Sequence, residues 1–258
     1  MFEVTILASS SSGNAALVRS ESVTLLVDAG LSARQLTERL TQCDVSPSEI
    51  SGILITHEHS DHVKGLPQWC KLHGTPIYCN RHTASLLREK MNFHQQWNIF
   101  ESGSSFSLND LSVQSFSIPH DAVDPVGFVL REKGVSFGFA TDLGYATRLV
   151  IDALQGLDGL LLEANYDEQL LQQDSKRPWA VKQRIASRHG HLSNNAAAEL
   201  LQQLLHEKLQ HVALGHLSAD CNKEALALEA IERVLETASP LQRWCAGPDQ
   251  VSRTIVLE

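Results

Sequence analysis

No stretch of this sequence approaches the roughly eighteen consecutive apolar residues that a membrane-crossing helix needs, although 43% of its 258 residues are hydrophobic. A water-soluble chain with ample material for a core is the expectation, and the 20% of charged residues agrees with it. Met1-Phe2-Glu3-Val4 carries no Lys or Arg and runs toward a serine tract, so an export leader is not expected. No C-x-x-C pair occurs among the five cysteines, Cys43, Cys70, Cys79, Cys221 and Cys245. Odd in number and unpaired in spacing, they read as reduced thiols packed as small hydrophobes in a cytoplasm. No repeat, charge run or Pro/Gly-rich linker divides the chain, so residues 1–258 read as one large α/β domain. A net charge of −9 excludes a general coat of phosphate-binding cations, though not a local basic patch.

What is present alternates strand-like and helix-like segments. The first third reads as strands Phe2 to Ala8, Ala15 to Arg19 and Val23 to Asp28, a helix opened by Ser32 and running to about Gln42, and a strand Gly52 to Thr56. Leu111 to Ile118, Val126 to Arg131 and Val135 to Ala140 predict an antiparallel sheet, with Lys133-Gly134 as a hairpin turn. Then follow a helix Ala146 to Leu154, a strand Gly159 to Glu163, and a helix from Asn194 with Ala197, Leu200, Leu201, Leu204 and Leu205 on one face. A strand His211 to Leu214, a helix Asn222 to Glu236 and two short terminal strands complete the expectation. The polar clusters fall where strands end, which is where a layered α/β scaffold gathers its functional loops.

The densest of these is Thr56-His57-Glu58-His59-Ser60-Asp61-His62, with three imidazoles and the Asp61 carboxylate in its last six residues behind an apolar strand. In an extended segment His57 and His59 project to one side and can grip one cation, while Asp61 and His62 turn away toward a second. Imidazole and carboxylate donors suit Zn, Mn or Fe. Six residues cannot fill two coordination spheres, so partners are required further along.

This run resembles the motif of the metallo-β-lactamase superfamily, and the resemblance implies an αββα sandwich with two divalent ions between its sheets. On that basis Asp28 matches the aspartate that braces the histidine loop, His120 a ligand of the first ion, Asp142 the bridging carboxylate and His216 a ligand of the second. An aspartate rather than a cysteine at position 142 implies the phosphodiesterase, thioesterase and glyoxalase-like branches, using a shared hydroxide as nucleophile. Ser9 to Asn14, Glu163 to Asp167, Pro178 to Ile185 and Gly190 to Asn194 further resemble the YycJ/WalJ-like group, which implies a DNA-directed 5′-to-3′ exonuclease; Arg177 stands where that group would place an aromatic residue. The same resemblance implies that Glu163 orients His191, and that His191 acts on the phosphoryl oxygens or the leaving group, with Asp61 part of the catalytic set.

The residues themselves give a second argument for nucleic acid. From Ser175 to Ala198 there is no acid, while Lys176, Arg177, Lys182, Arg184 and Arg188 are cationic. With Trp179 among them, this strip reads either as a track for phosphates and bases, with Trp179, Lys182 and Arg184 in contact, or as a solvated helix face over a buried Trp. His191 precedes Ser193 and Asn194, whose helix start reads as an anion site or as an ordinary cap. The loop ending at Asn14 reads as a phosphate contact or as a tight polar turn. The remaining histidines, 73, 82, 94, 189, 206 and 211, have no motif around them and read as structural. A small-molecule hydrolase of thioesters, lactones or cyclic phosphodiesters on the same metal site is the competing function; an open basic groove favours the nuclease, a closed apolar pocket the alternative.

Overall fold

The computed structural model describes residues 2–91, 94–235 and 240–258. Along the chain, β1 (Phe2–Ala8), β2 (Ala15–Arg19), β3 (Thr24–Val27), α1 (Ala33–Gln42), β4 (Gly52–Leu54), α2 (Ser60–Val63), α3 (Leu66–His73), β5 (Ile77–Asn80), α4 (Arg81–Lys90) and β6 (Trp97–Phe100) form the first half. The second half holds β7 (Ser105–Leu108), β8 (Leu111–Ser117), β9 (Val126–Glu132), β10 (Val135–Ala140), α5 (Arg148–Leu154), β11 (Gly159–Glu163), α6 (Glu168–Gln173), α7 (Trp179–Ile185), α8 (Asn194–Leu204), β12 (His211–Gly215), α9 (Glu224–Glu232), β13 (Gln242–Cys245) and β14 (Ile255–Leu257). The strands make two seven-stranded sheets, ordered β14-β1-β2-β3-β4-β5-β6 and β13-β12-β11-β10-β9-β8-β7.

Both sheets begin antiparallel and become parallel. The change falls at β3 in the first, antiparallel to β2 and parallel to β4, and at β10 in the second, antiparallel to β9 and parallel to β11. Strand ends at such a change leave a crevice. Here Asp28 follows β3 and Asp142 follows β10, both with left-handed backbone (φ 61° and 57°), as has His216 after β12 (φ 57°).

Alternation along the strands builds three apolar layers. Val4, Ile6, Leu25, Phe137, Phe139 and Leu161 meet between the sheets. Their neighbours face outward: Leu7 and Leu26 pack under α1 and α3 with Leu36, Leu40, Leu66 and Trp69, while Leu160 and Leu162 pack under α5 and α8 with Val150, Leu200 and Leu201. The result is the expected αββα sandwich. Ser32 caps α1 in a capping box with Gln35, as the sequence predicts. Lys133 and Gly134 turn between β9 and β10 with positive φ.

Three boundaries differ from expectation. The strand expected over Gly52 to Thr56 ends at Leu54, and after the loop His59 N-caps α2, so that Asp61 and His62 are helical. The helix expected from Ala146 starts at Arg148 because the Thr147 side chain accepts from Val150 N. α9 spans Glu224–Glu232 rather than starting at Asn222, and Glu236 lies outside the described residues.

Candidate metal centre

The histidine loop is clamped to the end of β3. Asp28 accepts hydrogen bonds from Thr56 N (2.9 Å) and Thr56 Oγ1 (2.9 Å), and its Oδ2 lies 2.7 Å from His62 Nδ1, fixing the ring so that Nε2 faces the crevice. Behind α2, Asn14 N donates to Asp61 O and Ala29 N to His62 O. That close approach requires Gly30, since a Cβ there would lie 1.7 Å from Asp61 O. Asn14, a substrate candidate by sequence, is buried; its Nδ2 donates to Ser10 O and lies 3.1 Å from His62 Nε2. It braces the loop rather than facing a substrate.

Seven residues converge from both sheets in two groups. His57, His59 and His120 form one; Asp61, His62, Asp142 and His216 form the other, with the donor atoms of each group within 4.8 Å of one another. Asp142 stands between them, its Oδ1 3.5 Å from Nε2 of both His120 and His216. His120 is oriented by the 3.0 Å bond between its Nδ1 and Gly190 O. His57 Nε2 is buried without a hydrogen-bond partner, and so is Asp142 Oδ2, although His62 Nε2 approaches it to 3.0 Å. Orphaned buried donors and acceptors are costly. Set among imidazoles and carboxylates, they fit cation ligation by N and O donors.

The electrostatics agree. Burial, followed by the nearby His62, pushes the His57 imidazole well down, so it stays neutral and able to ligate. Burial also opposes charge on His62 and His216, yet the Asp142 carboxylate outweighs it, aided by Asp28 at His62 and by Asp61 and Glu163 at His216, which rises to about 10. Despite its own burial, Asp142 is held well below the usual carboxylate range by His216 and His62.

Residues 24–213 match the family described as Beta-lactamase superfamily domain. The chain belongs to the beta-lactamase superfamily. It is 37% identical over 230 residues to Exodeoxyribonuclease WalJ of Streptococcus pneumoniae serotype 2, covering 88% of this chain and 85% of that protein. It is 34% identical over 233 residues to Exodeoxyribonuclease YycJ of Bacillus anthracis, covering 90% and 88%. Zn(2+)-bound PqqB from Methylobacterium extorquens shares the fold with a TM-score of 0.76 at 16% identity, over 99% of this chain and 100% of that one. YhfI from Bacillus subtilis does so with a TM-score of 0.73 at 15% identity, over 97% and 98%. As a member of this superfamily with these side chains assembled, the chain is a metal-dependent hydrolase.

Glu163 is the hub of this superfamily site. Fully buried at the end of β11, it accepts from Leu143 N (2.8 Å) and Leu192 N (3.1 Å) at Oε2, while Oε1 faces Nδ1 of His191 (2.8 Å) and His216 (2.9 Å). With four partners its acceptor sites are filled, although it also falls with Asp142, His191 and His216 in a third group whose donor atoms lie within 4.8 Å of one another. Although its burial disfavours charge, these imidazoles lower it to about 2. Burial disfavours a charged His191 too, but Glu163 raises it. His191 is 20% exposed and lines a pocket together with Ser11, Asp61, Asp142, Val181, Arg184 and Ile185.

Not all the expected substrate residues reach this pocket. Arg184 lines it, paired to Asp121 from the loop after His120. Lys182, two residues earlier on α7, points to the opposite face, where it and Trp179 border a separate cavity with Tyr166 and Leu171. Trp179 is 65% exposed rather than buried. Ser193 and Asn194 are buried and internally satisfied: Ser193 Oγ accepts from Ala196 N and donates to Glu168, and Asn194 exchanges two hydrogen bonds with Asn222. Of the two readings of the start of α8, the side chains present are those of a cap, with Ser193 on Ala196 N and both polar side chains paired within the protein. Arg177, the position that departs from the group's aromatic, pairs with Asp174 (2.7 Å) and Asp220 (2.9 Å).

Three contributors escaped sequence reading. Thr56 bridges Asp28 to the loop, Asn165 donates to His216 O (2.7 Å), and Asp121 holds Arg184. Thr56 and Asn165 sit inside motifs and were legible only as neighbours. Nothing in the sequence distinguishes Asp121 from any other loop aspartate.

Proposed function

We propose that this hydrolase is a dinuclear phosphodiesterase acting on nucleic acid, as a DNA 5′-to-3′ exonuclease. The observation that carries the reading is His191, fixed by Glu163 and turned into the same polar pocket as both ligand groups and Arg184. The exodeoxyribonuclease names of relatives that match nearly the full chain support it. His57, His59 and His120 would hold one divalent ion, Asp61, His62 and His216 the other, with Asp142 shared; Zn, Mn and Fe all suit these donors. When bound, two such ions supply charge stabilisation at the attacked phosphorus and an acidified water.

The chain's own groups do the remainder. Arg184 places a phosphate by charge and a planar pair of donors. His191, whose charged form Glu163 favours against burial, gives its proton to the departing ester oxygen as the P–O bond breaks. Asp61, partly exposed beside His216, positions the attacking water. All five cysteines are free, which suits a reducing cytoplasm.

The test is a time course with Mn2+-loaded protein and single-stranded DNA labelled at either end. A 5′ label released at once as mononucleotide, with a 3′ label shortening into a ladder, is the expected result. The opposite pattern would reverse the polarity, and faster turnover of a thioester or lactone than of DNA would overturn the substrate class.

A further inference from the structure

The pocket over the metal centre is not isolated. Ser11 also lines a second cavity of about 320 Å³, bounded by Ser10, Ser12, Arg177, Ser218 and Lys223. Leu217 and Ser218 of that cavity directly follow His216 of the first. The two are joined on the side of the second ligand group, where Ser9 Oγ accepts from His216 N (2.8 Å). On the side of the first group the metal pocket is walled: Val181, Arg184 and Ile185 of α7 stand against it, and Arg184 is tied to Asp121, whose Oδ1 lies 3.4 Å from His120 Nε2.

We propose that the cavity beyond Ser11 binds the phosphate that follows the scissile one, so that the strand leaves the metal centre over the serine turn and its terminal residue stays against α7. This rests on the nuclease reading above and adds to it a direction of travel. The chemistry is that of a phosphodiester backbone. Two cations from different elements face the cavity, together with serine hydroxyls that donate to phosphate oxygens. Lys223 has no carboxylate partner among the described residues, and it lines the cavity at the start of α9. Arg177 is held in place by Asp174 and Asp220 and keeps 27% of its side chain exposed. Glu224 borders the cavity on its far side, where residues 245–253 begin a separate depression.

The structure also explains why a strand would be taken from its end. A chain continuing in both directions would have to displace α7, whose Val181, Arg184 and Ile185 line the pocket; a chain ending there would not.

The experiment measures fluorescence anisotropy of labelled, hydrolysis-resistant phosphorothioate dT2 and dT6 with the full Mn2+-loaded protein. The parent is expected to bind dT6 more tightly than dT2. Lys223→Glu should weaken dT6 by about threefold to tenfold at low salt and lower the log–log salt slope by about 0.7, with dT2 unchanged. Lys208→Glu, the same charge change on the loop before β12, should retain the parent's affinity for both. If Lys223→Glu binds dT6 like the parent, or weakens dT2 and dT6 by one factor, the track is overturned. A parent that binds dT6 through Lys223 yet leaves unmodified dT6 uncut would keep the track and remove the nuclease reading, so the two fail separately.

Discussion

Residues 55–62 and residues 175–191 face the same pocket but are built in opposite ways. In the first, Ile55, Thr56, His57 and His62 are buried and the loop is tied to fixed partners: Asp28 and Thr56 behind His62, and the carbonyls of Asp61 and His62 held by Asn14 and Ala29. In the second, α7 buries no residue, and its neighbourhood is held by ion pairs among exposed or half-exposed groups, Lys176 and Arg177 with Asp220 and Arg184 with Asp121. Exposed pairs of this kind contribute little to stability. One wall is preorganised for chemistry, and the other can exchange a carboxylate for a phosphate without disturbing the core.

The sharpest way to break that contrast is Asp61→Ala. Turnover of DNA in metal-saturated protein is expected to fall by about 10³-fold or more, because several kcal/mol of charge stabilisation depend on the ligand set. The circular dichroism spectrum and melting temperature should stay near the parent's, since Asp61 lies at the pocket and not in an apolar layer. Parent-like rates would show that the rigid wall is not where the chemistry occurs.

Glu163→Gln comes next. An amide cannot accept from all four partners, so kcat should drop by about 10²-fold. The pH profile carries the sign. Glu163 raises His191, so activity that needs the His191 proton falls as pH rises through that raised value; without the carboxylate the falling limb moves to lower pH. A limb that stays in place would show that another group supplies the proton.

The smallest effect separates the two faces of α7. Arg184→Ala should raise KM for DNA several-fold and flatten the salt slope by about 0.7, whereas Lys182→Ala, directed to the Trp179 cavity, should leave both close to the parent. Equal effects would mean that the strand wraps the helix.

The same contrast governs how much was legible beforehand. The histidine loop could be read because its chemistry is local: donors in six residues behind an apolar strand, with Asp28, His120, Asp142 and His216 each at a strand end. Glu163 was assigned to His191, but its equal hold on His216 depends on two strand ends meeting through parallel pairing of β11 with β12, which no spacing reveals. The basic strip misled because charge was counted along the chain. Its freedom from acids is real in sequence, yet Asp121, Asp174 and Asp220 reach it in space. Lys182 and Arg184, two apart, cannot share a face once the segment is helical. The start of α8 misled for a similar reason: its polar residues were visible, but not that Glu168 and Asn222 would satisfy them.

The left-handed backbone at Asp28, Asp142 and His216 has one more consequence. Each is a non-glycine residue in a conformation that glycine adopts more readily, and each ends a strand of the sandwich. The same three side chains therefore terminate the sheets and furnish the crevice. Glycine at any of them would relax the chain locally and empty the site, so a search for more stable variants should drift toward inactive ones at these positions. How far the strands run and how deep the crevice lies are one variable, and selection for durability alone would erode the enzyme from its strand ends inward.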